Sequence, residues 1–168
     1  MPPLAELNAL DHPAFVAAIG HIFEHSPWIA EETWPHRPFN DAAHLHAELC
    51  ATLRQAPRER QLALINAHPD LAGRLARENK LTRESTHEQA SAGLNALTDD
   101  ELSGFQTMNA NYRQRFGFPF VICARLNAKE KILAAMRARI GNSVETEVQT
   151  ALAEIEKIAL LRLTDVLG

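Results

Sequence analysis

A histidine whose backbone is fixed by its neighbours is the simplest acid–base group available near neutral pH. His68 is placed in that way. Within Ala67-His68-Pro69-Asp70-Leu71-Ala72-Gly73 it stands at the end of a helical pattern and directly before a proline. Pro69 disfavours helical geometry in the residue before it, so the helix carrying Leu62 and Ile65 must stop near His68. A purely structural reading also exists: His68 suits a helix C-terminus, and Asp70 can cap a further helix through Asn79. A second cluster is Ser85-Thr86-His87-Glu88-Gln89. Ser85 and Glu88 match a capping box, which explains both without any chemistry. Gln89 has no such explanation, and the small residues Ala90-Ser91-Ala92-Gly93 let a ligand or another backbone approach closely. The third place is Arg162, which falls in the apolar stripe of Val148, Ile155, Ala159 and Val166. A guanidinium there is costly unless paired. It can extend to solvent, pair with Asp165, or hold a carboxylate of an anionic substrate through two parallel bonds.

Other chemistries find less support. His21 and His25 stand four apart with Glu24 nearby, a spacing that could clamp a metal on one helix, but no third ligand follows at a telling distance. His44 and His46 face different ways on a helix. His87-Glu88 begins like a zinc-protease motif, yet Ser91 stands where the second histidine belongs. There is no Gly-x-Ser-x-Gly elbow and no glycine-rich phosphate loop. The formal charge is −4 and the basic residues are scattered, which argues against nucleic acid as a partner. Cys50 and Cys123 are far apart and read as buried free thiols. No secretory signal opens the chain, no apolar run is long enough for a membrane span, and Asp165-Val166-Leu167-Gly168 is no peroxisomal address. A cytoplasmic protein is expected.

These residues need a helical frame, and the sequence supplies one. Ala and Leu far outnumber Val and Ile, and apolar positions recur at helical spacing almost throughout. Asp11 and Pro13 open a helix whose stripe is Phe15, Ala18, Ile19, Ile22 and Phe23, ending at Ser26-Pro27. A short helix at 28–32 and a proline-rich corner at 34–38 follow. Helices are expected over 41–55, from Pro57 to near His68, and over 70–79. Another follows a Thr98–Glu101 capping box, with Leu102, Phe105, Asn109, Tyr112 and Phe116 on one side. Two more, over 128–140 and 144–163, are separated by Gly141-Asn142-Ser143. Phe118-Pro119-Phe120-Val121-Ile122 alone has strand-like composition, and its proline and isolation predict a buried extended connection. The 168 residues suffice for one continuous core. The expectation is an all-α, single-domain bundle of roughly eight helices over 1–168, with one extended segment near 118–122.

In this order and spacing the segments resemble a known family. The markers are Phe23-Glu24-His25-Ser26-Pro27-Trp28-Ile29-Ala30, Arg37-Pro38-Phe39, His68-Pro69-Asp70-Leu71-Ala72-Gly73 and Ser85-x-x-Glu88-Gln89-x-x-Ala92-Gly93-Leu94. Asn111-Tyr112-x-x-x-Phe116-Gly117-Phe118-Pro119-Phe120-Val121-Ile122 and Glu154-Ile155-x-Lys157-Ile158-Ala159-x-x-Arg162-Leu163 complete the set. The chain resembles the 2-oxo-4-hydroxy-4-carboxy-5-ureidoimidazoline (OHCU) decarboxylases along nearly its whole length. The resemblance implies an all-helical fold, a homodimer, no cofactor, and a reaction yielding (S)-allantoin and carbon dioxide. It implies that His68 is the essential histidine, with Glu88 beside it at the reacting centre. Ser85 and Gln89 then line the site, Arg162 contacts the substrate, and the backbone around Phe118, Val121 and Ile122, together with Pro69, packs on and binds the planar ring. The rivals are a metal-dependent hydrolase on His21, Glu24 and His25, a helical interaction module, and a relative acting on a related ureidoimidazoline or degrading allantoin onward.

Overall fold

The computed structural model of the chain describes residues 3–73, 76 and 78–168. The described residues are helical with no strand, as the periodicity predicts. They fall into two compact units: 1–67 with 156–168, and 68–155.

The first unit contains α1 (Leu4–Ala9), α2 (His12–Ile19), α3 (Trp28–Thr33), a 3-10 turn at Trp34–His36, α4 (Ala42–Gln55) and α5 (Arg58–Ala67). It also takes the C-terminal part of α9 (Val144–Leu167). The capping residues behave as their chemistry dictates. Asp11 accepts from the Ala14 amide and Asp41 from the His44 amide, each satisfying an orphan donor of a first turn. Leu45, Leu49 and Leu53 form the buried stripe of α4.

Two expectations are corrected in this unit. α2 ends at Ile19, not at Ser26. The chain leaves the helix at Gly20 through an Ile22-to-Ile19 hydrogen bond and reaches left-handed geometry at His25 (φ 47°). Ile22 and Phe23 are still buried, but turns deliver them rather than a helical stripe. His21 and His25 therefore do not share a helix and both are exposed, so the proposed metal clamp loses its geometry. Cys50 is half-buried rather than buried, while Cys123 is buried; both are free thiols. Burial pushes the Cys50 thiol up to about 12, with nearby Glu156 adding to the shift.

The second unit contains α6 (Arg83–Ser91), α7 (Asp99–Phe116), a 3-10 turn at Ala124–Leu126, α8 (Lys129–Arg139) and the N-terminal part of α9. The Thr98–Glu101 capping box is present with both reciprocal bonds. α7 stops at Gly117, whose left-handed φ of 79° lets its amide return to the Arg113 carbonyl. Beyond it, 118–122 is extended and buried without becoming a strand. The expected helix over 70–79 is not formed at its described ends, where 71, 72, 78 and 79 are turns, and residues 74, 75 and 77 lie outside the described residues.

The capping-box reading of Ser85 and Glu88 is overturned. α6 starts one turn earlier, and its N-cap is Thr82, whose hydroxyl accepts from the Ser85 amide. Ser85 and Glu88 are thus interior helix residues, and the structural explanation offered for both disappears.

Candidate active site

His68 follows α5 directly and is 7% exposed. The turn after it is held from two helices. Gln89 of α6 accepts from the Ala72 amide at 2.9 Å through Oε1, and its Nε2 donates to the Asp70 carbonyl at 3.4 Å. Asn109 of α7 donates to the Leu71 carbonyl at 2.9 Å, and Arg113 donates to Asp70 Oδ1 at 2.8 Å. Ala72 has φ 52°, a left-handed conformation costly for a residue with a Cβ. At Gly73 a Cβ would lie 2.7 Å from that of Asp70, so only glycine closes the turn. Strain accumulated beside a buried histidine marks a place where geometry is over-determined by its surroundings.

α6 contributes an unusual face. Ser85, Glu88, Gln89 and Ala92 follow the i, i+3, i+4, i+7 rule of a core-facing stripe, and all four are buried. Arg83, Thr86, His87 and Ala90 on the other side are exposed. Three of the four inward residues are polar, which a core tolerates only when each is satisfied. The 3-10 turn at Ala124–Leu126 packs against α6, which brings the end of the extended segment to the same helix. In that segment Phe118, Val121 and Ile122 are all buried, as is Pro119. Neither main-chain group of Ile122 finds a partner among the described residues, a rare state for buried backbone.

The second unit thus assembles the His68 turn, with Pro69, the polar face of α6 and the 118–122 segment. Arg162 belongs to the first unit. There it is 3% exposed and donates to Glu24 Oε2 at 2.9 Å, with a longer bond to the Ile22 carbonyl. A cavity of about 570 Å³ also opens in the second unit, bordered by Leu81, Leu94, Leu97 and Leu102. It touches Gln89 and Ala72 but neither His68 nor Glu88, so it is not assigned to the reaction. Among the described residues no group of three His, Cys, Asp or Glu side chains is arranged to hold a metal.

Sequence reasoning missed Asn109 as a support of the histidine turn and Glu24 as the partner of Arg162. Both carried a signal: a polar residue set among the apolar positions of a stripe or a buried run, Asn109 with Phe105 and Tyr112, Glu24 with Ile22 and Phe23.

Comparison with known proteins gives the family and the fold. The model of the OHCU decarboxylase family matches residues 8–164. A 2-oxo-4-hydroxy-4-carboxy-5-ureidoimidazoline decarboxylase of Haloferax volcanii is 43% identical over 96% of this chain and 94% of its own. The mouse (Mus musculus) protein of the same name is 41% identical over 98% and 93%. A crystal structure of (S)-allantoin synthase superposes with a TM-score of 0.79 at 28% identity, covering 100% of this chain. This chain spans about half of that one, 54%. A crystal structure of OHCU decarboxylase in the presence of (S)-allantoin shares the fold, with a TM-score of 0.69 at 22% identity over 83% of this chain and 90% of that one. With a family model covering nearly its full length and relatives above 40% identity, the chain belongs to the OHCU decarboxylase family.

Proposed function

We propose that this protein decarboxylates 2-oxo-4-hydroxy-4-carboxy-5-ureidoimidazoline to (S)-allantoin and carbon dioxide in urate degradation. The observation that carries the reading is the inward face of α6, where Ser85, Glu88 and Gln89 are buried without serving as a helix cap. The substrate bears its carboxylate on a carbon next to a ring C=N bond. Electrons released as carbon dioxide departs move into that imine, so the substrate supplies its own electron sink. The protein's task is to turn the carboxylate out of the ring plane, stabilise the enolate-like charge and deliver a proton to one face.

His68 takes the acid–base role, acting on the hydroxyl beside the carboxylate. Glu88 orients His68 or the ureido group, and Ser85 adds a polar contact. Gln89 has its carbonyl oxygen engaged by Ala72 and one amide hydrogen given to the Asp70 carbonyl, so the second hydrogen of its NH2 serves the ring or ureido oxygens. The peptide groups at Val121 and Ile122 offer a donor and an acceptor to the planar ring, with Phe118 and Pro69 packing on it. The assignment of Arg162 to an anionic oxygen of the substrate rests on the resemblance and on guanidinium chemistry. We read residues 1–168 as one catalytic domain, supported by a family match that runs through both units. We further propose a cytoplasmic homodimer. No helix among the described residues is long and apolar enough to cross a membrane. Sedimentation equilibrium at twice the chain mass is the expected result, and a monomer at micromolar concentration would refute it.

The activity is tested by generating the unstable substrate in place with urate oxidase and 5-hydroxyisourate hydrolase and following circular dichroism. Adding this protein is expected to accelerate the appearance of optically active (S)-allantoin. Slow formation of racemic allantoin in the presence of folded protein would reject the reading.

A further inference from the structure

An extended segment with no neighbouring strand must send its backbone hydrogen bonds somewhere else. In 118–123 they go to charged side chains. The Val121 carbonyl accepts from Arg139 Nη1 at 2.8 Å, and the Cys123 amide donates to Glu154 Oε2 at 2.8 Å. The same guanidinium lies 4.2 Å from the centre of the Phe120 ring, so Arg139 grips two successive residues, one by its π face and one by its carbonyl.

Arg139 is itself held. Its Nε donates to Glu147 Oε2 at 3.0 Å, and Nη2 lies 2.9 Å from the same oxygen. The Glu147 side chain is fully buried, and that of Arg139 is 11% exposed. Asn142 donates to Glu147 Oε1 at 2.8 Å, and the Tyr112 hydroxyl donates to Oε2. Tyr112 in turn sets its ring edge-on to Phe120 (5.3 Å, 90°) and near-perpendicular to Phe118 (6.0 Å, 71°). A buried carboxylate needs a cation and several donors to be tolerated, and this one has both. The cluster of α7, α8 and α9 side chains therefore converges on three residues of one loop, 118, 120 and 121. A structural cluster would need only to bury itself. This one spends a nitrogen of its cation on the backbone next to Ile122, whose own N–H and C=O find no partner among the described residues.

We propose that Arg139, locked by Glu147 and Tyr112, is a positioning residue for substrate binding: it fixes the Val121 carbonyl and the Phe120 ring and so aims the peptide groups of 121–122 at the substrate ring. The inference rests on the decarboxylase reading above. Arg139 does not touch the substrate. Because the peptide groups bind the ring before and during reaction alike, loosening them acts on KM and leaves kcat nearly unchanged.

The test measures kcat and KM of Arg139→Lys in the coupled dichroism assay. Lysine keeps the charge against Glu147 but lacks the planar fork that reaches Glu147 and Val121 together. KM is expected to rise about tenfold, with kcat within about threefold of the parent, as for the loss of one well-placed hydrogen bond. Ile132→Val, a fully buried residue of α8 two turns before Arg139, serves as control. It should lower Tm while leaving KM at the parent value, which separates positioning from general loosening of the helix. A folded Arg139→Lys with unchanged KM overturns the proposal, as does an equal rise of KM in Ile132→Val. If Arg139→Lys does not fold, Tyr112→Phe carries the test: it deletes one donor to Glu147, keeps the ring packing, and is expected to raise KM about threefold. An unchanged KM in that variant overturns the proposal too. Failure of the decarboxylase reading looks different, because the parent itself would then give no chiral product.

Discussion

The two loops of the candidate site are fixed by opposite means. The turn after His68 is held chiefly by neutral amides: Gln89 on Ala72 and Asp70, and Asn109 on Leu71. The ion pair of Arg113 with Asp70 is partly exposed, with side chains 41% and 29% accessible. The 118–123 segment is held by charged groups, Arg139 with the buried Glu147 on one side and the part-buried Glu154 on the other. The difference fits what each loop has to do. Around the histidine, neutral supports hold the backbone of the turn and leave Glu88, the carboxylate proposed beside His68, as the charge that tunes it. A segment that only presents peptide groups to a ring can be anchored by full charges, which hold register firmly and take no part in proton transfer.

The largest predicted effect breaks the ionic side of this contrast. Glu147→Ala leaves the Arg139 guanidinium without its carboxylate in a buried setting, a loss of about 3–5 kcal/mol. Chemical denaturation should show it as a marked fall in midpoint. A change below about 1 kcal/mol would mean that solvent already screens the pair. The amide side is expected to respond less. Gln89→Ala strands the buried Ala72 amide, at a cost of about 1–3 kcal/mol. Because that amide fixes the strained turn beside His68, turnover should fall as well, in contrast to the binding effect expected in the 118–123 segment. Gln89→Ala with reduced stability but unchanged kcat would dissolve the distinction between the two loops.

The smallest effect is a titration. Tyr112 is the only tyrosine of the chain, so the tyrosinate absorbance band reports on it alone. Burial, and then its hydrogen bond to Glu147, raise its hydroxyl above the ordinary tyrosine value. A raised folded value means that the protonated form favours the native state. Its contribution is complete below about pH 10 and is lost as pH climbs from there through the folded value. The folded protein should therefore show no tyrosinate at pH 10, and the band should appear together with unfolding. Ordinary titration near 10 in the native state would show the cluster to be open to solvent.

Much of this was legible in the residues, for identifiable reasons. Helix identities followed from apolar spacing, and caps such as Asp11, Asp41 and Thr98 announced themselves by type and position. The isolation of Phe118-Pro119-Phe120-Val121-Ile122 correctly excluded a sheet. Two local patterns misled. Ser85 and Glu88 satisfy the capping-box rule, but Thr82 three residues earlier is the N-cap and its hydroxyl takes the amide of Ser85, and one turn of extra helix decided the competition. Phe15 to Phe23 reads as one stripe, yet Gly20 lets the chain leave the helix while Ile22 and Phe23 remain buried. What the sequence could not show is pairing at a distance. Arg162 with Glu24 and Arg139 with the Val121 carbonyl are tertiary contacts, 138 and 18 residues apart, and no periodicity encodes them. Arg162 drew attention because it interrupts an apolar stripe. Arg139 did not, because it sits at a helix end where basic residues are ordinary.

His68 as the acid–base group of a decarboxylation is the centre of the proposed mechanism, and one comparison tests it. His68→Ala and the parent would be assayed side by side for the initial rate of (S)-allantoin formation by circular dichroism, with far-ultraviolet spectra confirming that both are folded. Removal of the general acid–base group is expected to lower the rate by roughly 10²- to 10⁴-fold in a folded protein. A folded His68→Ala variant that retains near-parent turnover would remove His68 from the chemistry, and with it the roles assigned to the turn and to the polar face of α6.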